Sequence, residues 1–285
     1  KEMLKMRGDI LKKKLMVLCA VAIMISTCLT GCKMNSGKIR FGSAGIGGTY
    51  QIFGDTFANL ISSKSKKYNI EVKTTAGSAA NLRLLSKDYI QMAVAQMDLI
   101  NDAYNSTGIF ENDKKYQGYR AVASLYQEAC QIVVPADSDI RSMDDLEGKK
   151  VCIGEEESGT EQNALQILNA YGLNERLVDT VNLNYTDAAK KLKSGDIDAF
   201  FCTAGVQTTV INELSKQCKI RLVSLDQKGV SRLKKSYKFY TEYTIPAGTY
   251  VNQTKEIKTV GVKAVLLASD KLSEDTVKDI TQILV

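Results

Sequence analysis

The stretch Gly42-Ser-Ala-Gly-Ile-Gly-Gly-Thr-Tyr50 lies between a strand-like run at residues 38–43 and a helical pattern at residues 49–63. Its glycines let the backbone approach a ligand closely, and the free N–H groups at the start of a helix attract an anion. The spacing of its last three glycines does not fit the G-x-G-x-x-G of dinucleotide-binding proteins. The pattern alone is compatible with an anion-binding turn and equally with a tight glycine turn.

Strands and helices alternate along the rest of the chain, which predicts an α/β fold with parallel sheets. The further predicted strands are residues 68–74, 90–95, 119–134, 149–154, 181–185, 199–203 and 220–225, and the further helices are residues 79–85, 160–171 and two that begin near residues 187 and 206. Parallel sheets bind ligands outside the carboxyl ends of their strands. Site residues are therefore expected in the turns that follow the strands.

A second strand-to-helix junction, Gly154-Glu-Glu-Glu-Ser-Gly-Thr160, falls in the other half of the chain. Ser158 or Thr160 is able to cap the helix, and the local hydroxyl and N–H groups are able to hold a carboxylate. A plain N-cap is the simpler interpretation of this junction by itself, whereas two such junctions favour a facing pair of anion-binding helix ends. The three glutamates are poor candidates for a metal site or an acid–base pair, because consecutive side chains diverge and the chain has no histidine. A solvated loop is the favoured interpretation.

Two more turns follow predicted buried strands, Gln96-Met-Asp98 and Thr203-Ala-Gly205. Polar and small residues at strand ends are suitable site residues. Tyr126, Tyr240 and Tyr243 lie near the segments expected to connect two halves, and we interpret them as core or hinge packing rather than as ligand-stacking groups.

The N-terminal region has the pattern of a secretory signal. A basic block over residues 5–14 precedes the uncharged residues 15–29, a run shorter than the roughly 20 residues that span a bilayer. Leu29-Thr-Gly-Cys32 resembles the bacterial lipobox, which implies a signal peptide at residues 1–31, lipidation of Cys32 and a tether at residues 32–37. An ordinary signal in which Cys32 falls by chance is the alternative. The chain begins with lysine and stops within an apolar run, so we also expect a fragment.

Removal of the signal would change the charge balance and the cysteine content. The formal net charge is +6, but residues 1–31 contain six of the basic and two of the acidic residues, so +2 would remain. This charge argues against a nucleic-acid partner. The remaining cysteines are Cys130, Cys152, Cys202 and Cys218, and they have neither C-x-x-C spacing nor a histidine partner, so no zinc site is expected. Three of them lie in apolar strand-like runs typical of buried free thiols, and disulfide formation stays open.

Six stretches occur in order from residue 38 to the end of the chain. They are Phe41-Gly-Ser-Ala-Gly-Ile-Gly-Gly-Thr-Tyr50, Ala76-Gly-Ser-Ala-Ala-Asn-Leu82, Asp145-Leu-Glu-Gly-Lys-Lys-Val151, Ser158-Gly-Thr160, Ser194-Gly-Asp-Ile-Asp-Ala-Phe-Phe201 and Tyr243-Thr-Ile-Pro-Ala-Gly-Thr-Tyr250. Taken together, they resemble the TAXI family, the extracytoplasmic solute receptors of the ion-gradient-driven TRAP transporters.

The resemblance implies a type II periplasmic-binding-protein fold, in which two α/β lobes close around a ligand. Lobe 1 would comprise residues 38–130 and 240–285, and lobe 2 residues 131–239, with crossovers near residues 127–134 and 239–250. Carried over by motif, the ligand-binding residues would be Ser43, Ala44, Thr49, Tyr50 and Gln96 from lobe 1 and Ser158, Gly159, Thr160, Thr203 and Ala204 from lobe 2.

The resemblance also implies a ligand of the glutamate or glutamine type, or a related organic anion. The sequence departs from the family at two places: Glu155-Glu-Glu157 replaces a small, glycine-rich stretch, and Gly205-Val-Gln207 replaces a Gly-x-Pro-like turn. Negative charge beside the cleft would disfavour a dicarboxylate or favour a ligand with an ammonium group.

The sequence therefore predicts a non-enzymatic solute receptor, lipid-anchored at the outer face of the cell membrane or periplasmic, that delivers its ligand to the permease subunits of a TRAP transporter. No cofactor, metal or nucleic-acid partner is expected. A receptor of the same fold that serves an ABC importer or a sensor is the alternative. An enzyme that uses the glutamates as acid and base is a third and less favoured interpretation.

Overall fold

The computed structural model describes residues 38–284. The strands are β1 Lys38–Gly42, β2 Asn69–Lys73, β3 Met92–Gln96, β4 Tyr119–Pro135, β5 Lys150–Gly154, β6 Asp179–Asn182, β7 Ala199–Ala204, β8 Ile220–Leu222, β9 Thr241–Ile245 and β10 Ile257–Ser269. The helices are α1 Thr49–Lys64, α2 Ser78–Ser86, α3 Met97–Asn105, α4 Gly159–Ala170, α5 Tyr185–Ser194, α6 Thr209–Gln217, α7 Gln227–Ser236 and α8 Glu274–Leu284. The N-terminal signal, the tether and the lipidation predicted at Cys32 lie outside the described residues.

The strands form one mixed sheet in the order β2-β1-β3-β10-β4-β7-β5-β6, with β8 beside β4 and β9 beside β10. The pairs β1–β3, β5–β6 and β5–β7 are parallel, as the strand–helix alternation predicts. At the centre, β10 is antiparallel to β3 and β4, and β4 is antiparallel to β7. Two long antiparallel strands therefore join two parallel groups, an arrangement that the alternation alone does not indicate.

The strand β4 changes its pairing partner near its middle. Residues Tyr119 to Ala129 pair with β10, and residues Ala129 to Val133 pair with β7. Ala129 pairs with Gly261 on one side and with Ala204 on the other. Glu128, the residue before it, thus lies where β4 passes from one parallel group to the other.

Four apolar clusters cover the sheet. Two of them are built on β1, β3, α1 and α2, and two on the strands β5 and β7 and the helices around them. Every residue of β3 and of β7 is buried, as expected for parallel strands covered on both faces. The core thus holds the ends of β3 and β7, where the predicted site turns begin, on a rigid base.

The division into two lobes stays a prediction, and the packing bears on its boundary. Tyr240, Ile245 and Tyr250 pack in the clusters of β5 and β7 rather than in those of β1 and β3. Val260 and Val262 of β10 lie in the same group as Tyr240. We therefore propose that the second boundary falls within β10, beyond residue 239.

The main departures from the predicted elements lie around residue 185 and near the C-terminus. Residues 181–185 read as a strand, but β6 ends at Asn182 and α5 begins at Tyr185, because the Asn184 side chain accepts a hydrogen bond from the backbone N–H of Asp187 and caps the helix. The sequence reading contains no β10, although this strand lies at the centre of the sheet. Within residues 38–284, no helix is both long and apolar enough to cross a membrane.

Candidate functional site

Five helices begin at one cavity. Their N-cap residues are Gly48 (α1), Gly77 (α2), Gln96 (α3), Ser158 (α4) and Asn184 (α5), and all five line the cavity. The cavity volume is about 40 Å³. Each helix start presents backbone N–H groups and the positive end of the helix dipole, so the enclosure favours a negatively charged ligand group.

The helix starts are of two kinds. We call Gly48 and Gly77 the glycine-capped ends, because glycine has no side chain that is able to cap α1 or α2, and neither helix has an acidic residue in its first turn. We call Ser158 and Asn184 the side-chain-capped ends, because their side chains accept hydrogen bonds from the N–H groups of Glu161 and Asp187. The N–H groups of the glycine-capped ends are therefore left for a ligand to a greater extent, apart from the Ala80 N–H of α2, which donates to the Glu157 carbonyl (3.3 Å).

Nine of the ten predicted site residues line this cavity. They are Ala44, Thr49, Tyr50, Gln96, Ser158, Gly159, Thr160, Thr203 and Ala204. The tenth, Ser43, is fully buried behind it, where its hydroxyl donates to the Lys73 carbonyl (3.0 Å). The structure thus brings the predicted set together, while their role as ligand-binding residues stays a prediction.

Ser43 belongs to a network that fixes the first junction. The Asn81 side-chain amide donates to the carbonyls of Ser43 (2.8 Å) and Val94 (2.9 Å), and the Thr75 hydroxyl donates to the Ser43 carbonyl (2.9 Å). These bonds tie the ends of β1 and β3 to the first turn of α2. Ser43 is therefore placed to support the glycine turn rather than to line the cavity.

Sequence reasoning missed Glu128, a carboxyl group in the wall of the cavity. Glu128 is 2% exposed, and its Oε2 accepts a hydrogen bond from the Tyr50 hydroxyl (2.7 Å). Burial raises the pKa of Glu128 to about 8, against the hydrogen bonds from Tyr50 and Gln96, which lower it. A single acidic residue in an otherwise largely apolar 17-residue strand was the signal available in the sequence.

The lining also includes Gly45, Gly48, Ala76, Gly77, Ser78, Glu155, Asn184 and Tyr185, which the prediction did not name as ligand-binding. Among the described lining residues there is no lysine or arginine. The positive character of the cavity therefore comes from helix ends, and its side-chain charges are carboxylates.

Three hydroxyl-bearing residues form a network on the β7 side of the cavity. The hydroxyl groups of Thr160 and Tyr185 are 2.5 Å apart, the Tyr185 hydroxyl donates to the Thr203 carbonyl (3.0 Å), and the Thr203 N–H donates to Thr160 Oγ1 (3.2 Å). Burial raises the pKa of Tyr185, so its phenol stays protonated. The network fixes the start of α4 relative to the end of β7.

The two sides of the cavity contact each other directly. The Gly205 N–H donates to Thr49 Oγ1 (3.1 Å), and the Thr208 hydroxyl donates to the Gly47 carbonyl (3.2 Å). A Cβ atom on Gly159 would lie 2.2 Å from Gln96 Oε1, so a side chain here would displace the buried Gln96 amide or α4. The cavity is thus enclosed between the two junctions identified in the sequence.

The three glutamates of the second junction have different surroundings, which corrects their interpretation as a uniformly solvated loop. Glu155 lines the cavity, and burial raises its pKa. Glu156 is exposed. Glu157 pairs with Arg83 Nε (3.0 Å), and its carbonyl accepts from the Ala80 N–H (3.3 Å), so it bridges the two sides of the cavity.

The predicted packing tyrosines lie in or against the apolar clusters. Tyr240 is buried, and its hydroxyl donates to Gln166 Oε1 (2.7 Å) and accepts from Asn163 Nδ2 (2.8 Å). Tyr126 and Tyr243 are half-buried at the edges of two clusters. None of the three lines the cavity within the described structure, which agrees with packing rather than stacking on a ligand.

The predicted buried thiols are also found. Cys130, Cys152 and Cys202 are buried in β4, β5 and β7, and Cys218 is partly exposed. All four are free in the described structure. Burial raises the pKa of Cys130 to about 12, which leaves an unreactive thiol beside the cavity.

The structure places a cavity lined by five helix starts between two groups of parallel strands. A profile described as the NMT1-like family matches residues 41–285, and the chain belongs to this family.

Solved structures of binding proteins are similar in fold. SsuA from Escherichia coli, described as a periplasmic aliphatic sulphonate binding protein, is 17% identical with a TM-score of 0.51, over 87% of this chain and 70% of that chain. Holo ArgBP from T. maritima is 13% identical with a TM-score of 0.52, over 87% and 89%. A putative L-cystine ABC transporter protein from Listeria monocytogenes is 15% identical with a TM-score of 0.53, over 87% and 89%.

These similarities confirm the predicted fold class, the α/β fold of type II periplasmic binding proteins.

Proposed function

We propose that this protein is an extracytoplasmic solute-binding protein that closes two lobes around a small amino acid or carboxylate. The observation that carries the proposal is the meeting of five helix N-termini, from both halves of the chain, at one enclosed cavity. Such ends bind carboxylates without a basic side chain. The ten residues predicted from motifs would form or support this site, with Ser43 behind it.

Closure couples ligand binding to the conformation that a membrane partner reads. The contacts Gly205 to Thr49, Thr208 to Gly47 and Glu157 to Arg83 all join the two sides of the cavity. A ligand that contacts both sides shifts the population toward the closed form, because only that form provides all of its contacts. A transporter that recognises the closed form then receives loaded protein.

Two transport partners have separate support. The fold similarity to a substrate-binding protein of an amino acid ABC transporter and to a putative L-cystine ABC transporter protein favours an ABC importer. The six ordered motifs support the TAXI family and a TRAP permease. We rank the ABC importer first, because the structural comparisons name that class. In either case the lipidated Cys32 would hold the protein at the membrane.

A thermal-shift screen of amino acids and organic acids on the protein from residue 38 onward tests solute binding. We expect stabilisation by at least one amino acid or small carboxylate at millimolar concentration, because a ligand that binds only the folded state raises Tm. Gly159→Ala is the matched variant, since its added Cβ would displace Gln96 or α4 where the two sides of the cavity meet. Absence of stabilisation across the panel would refute the proposal.

Uptake of the stabilising solute by intact cells separates the partners. Uptake through an ABC importer should stop when ATP is depleted with the ion gradients maintained. Uptake through a TRAP transporter should stop when the ion gradients are dissipated with ATP maintained. Uptake that is unchanged in cells lacking this protein would contradict both.

A further inference from the structure

We propose that Glu128 binds an ammonium group of the ligand, so that the cavity selects neutral α-amino acids over carboxylates that lack an amine. This inference rests on the proposed function of the same cavity. To the amino-acid-type ligand implied by the motif resemblance, it adds a residue that the resemblance does not name, Glu128 in the cavity wall.

The first support is a cluster of buried acceptors in the cavity wall. Glu128 is buried, and Glu155 is half-buried in the same lining. Gln96 is 2% exposed, and within residues 38–284 its Oε1 has no hydrogen-bond partner. A buried acceptor without a partner is costly, so a ligand donor at this place would relieve it.

The second support is the absence of a protein cation to balance these groups. No lysine or arginine occurs among the described residues of the lining. Arg83, on the nearby α2, is occupied by ion pairs with Asp113 and Glu157. A ligand ammonium would supply the positive partner that allows Glu128 to ionise, because buried carboxylates are stable when so paired.

The third support is the separation of the two kinds of charge in the cavity. The glycine-capped ends provide N–H donors for a carboxylate, and Glu128 provides the acceptor for an ammonium group. Tyr50 connects them, since it lies in the first turn of α1 and its hydroxyl donates to Glu128. A zwitterion matches both parts, whereas a second carboxylate on the ligand would face Glu128 and Glu155.

The protonation of Glu128 makes the pairing measurable. With a pKa of about 8, Glu128 is mostly protonated at pH 7 in the ligand-free protein. An ammonium group beside it lowers the pKa, so the Glu128 proton leaves to solvent as the ligand binds. Affinity therefore rises from pH 6 to pH 8 and levels off above it.

The other titratable groups around Glu128 are Tyr50, Tyr126, Tyr185, Cys130, Cys202, Asp98 and Glu155. Burial raises the pKa of each tyrosine and cysteine, so they stay neutral below pH 8. Burial raises the pKa of Asp98 to about 6, so its titration overlaps only the acidic end of the window assigned to Glu128. Burial also raises the pKa of Glu155.

The test compares amino acids with the 2-hydroxy acids that share their side chains. L-Alanine is paired with lactate and L-serine with glycerate, and L-glutamine is compared with L-glutamate and 2-oxoglutarate. Isothermal titration calorimetry at pH 7 in phosphate and in Tris gives both the affinity and the number of protons released. We expect amino acids to bind about 10- to 100-fold more tightly than their hydroxy-acid partners, with close to one proton released.

Glu128→Gln should remove this preference and the proton release, while binding of the hydroxy acids changes less than about 3-fold. Glu156→Gln, which removes a carboxylate from the exposed neighbour of Glu155, is the matched control and should behave as the wild type. If Glu128→Gln does not fold, the number of protons that the wild type releases on binding an amino acid still tests whether Glu128 pairs with the ammonium group.

Equal or tighter binding of hydroxy acids or dicarboxylates, or binding without proton release, would overturn the assignment of Glu128 and leave the proposed function intact. Absence of binding by every probe would instead refute the proposed function and this inference together.

Discussion

The glycine-capped ends and the side-chain-capped ends face the same cavity but differ in what they leave free. At α4 and α5, Ser158 and Asn184 cap the helix, and Glu161 and Asp187 place negative charge in the first turn. At α1 and α2, glycine stands at the cap and the first turn contains no acidic residue. Side chains thus accept hydrogen bonds from N–H groups at the starts of α4 and α5. At the starts of α1 and α2, a ligand is left to accept from the N–H groups that no protein group bonds.

This difference assigns separate roles to two junctions that look alike in sequence. The turn at residues 42–50 would bind the carboxylate, and the turn at residues 154–160 would complete the enclosure. Ser158 fits the simpler interpretation, a plain N-cap, although it also lines the cavity. Ser158 is able both to cap α4 and to line the cavity, because the first turn of a helix extends into the space that its N-terminus faces.

The largest expected effect comes from preventing the two sides from meeting. Gly159→Ala places a Cβ 2.2 Å from Gln96 Oε1, so either the buried Gln96 side chain, which lines the cavity, or α4 has to move. We expect ligand affinity to fall by about 100-fold or more, with the fold retained, because each half keeps its own core. Calorimetric titration and far-UV circular dichroism measure the two quantities, and affinity within 3-fold of the wild type would contradict the role of this contact.

The second effect is a pH dependence of stability. Because the folded-state pKa of Glu128 is raised from 4.5 to about 8, proton binding stabilises the fold fully below pH 4.5, and this contribution is lost as the pH rises through 8. Relative to Glu128→Gln, the free energy of unfolding of the empty wild type should fall by roughly 2 to 4 kcal/mol between pH 5 and pH 8. Denaturant titrations at both pH values measure this difference. If the free energy of unfolding changes equally with pH in the wild type and in Glu128→Gln, the raised pKa of Glu128 is contradicted.

The predicted part of the site lies at strand ends and in the turns that follow them. The pattern of strands and turns indicated these positions, and the motif resemblance supplied the nine residues that line the cavity. A local sequence pattern indicates such turns, because each turn depends only on the end of one strand and the start of the helix that follows it.

The rest of the site depends on contacts between distant parts of the chain. Glu128 lies in the middle of β4 and reaches the cavity because β4 changes its partner from β10 to β7 at Ala129. Asn184 and Tyr185 were hidden because residues 181–185 alternate in polarity like a strand. The central strand β10 was missed because its partners β3 and β4 lie more than 100 residues earlier, and a local pattern does not record such pairing.

A third prediction converts one kind of helix end into the other. Gly48→Ser introduces a capping hydroxyl at a residue whose φ of −89° and ψ of 164° suit an N-cap. We expect an N–H group of α1 to be occupied and affinity to fall about 10-fold, with the stability of the empty protein maintained or slightly raised. Gly48→Ala is the control, because a Cβ there would lie 3.0 Å from the Tyr185 ring without adding a hydroxyl. An equal loss in both variants would attribute the effect to steric contact rather than to capping.

The smallest effect is expected from removing a side-chain cap. Ser158→Ala loses the hydrogen bond from the Glu161 N–H (3.0 Å) and should lower the free energy of unfolding by about 1 kcal/mol. Affinity should change less than 3-fold, because the ligand carboxylate is bound mainly by the other side. A large loss of affinity with unchanged stability would show instead that Ser158 binds the ligand directly.

A crystal structure with a bound amino acid gives the distances from the ligand carboxylate to the backbone nitrogens of the helix starts, and these distances decide which helix ends bind it. We expect hydrogen bonds from the first N–H groups of α1 or α2, next to Gly48 and Gly77, with the ligand ammonium beside Glu128. A carboxylate bound only at α4 and α5, or a ligand bound outside this cavity, would contradict it.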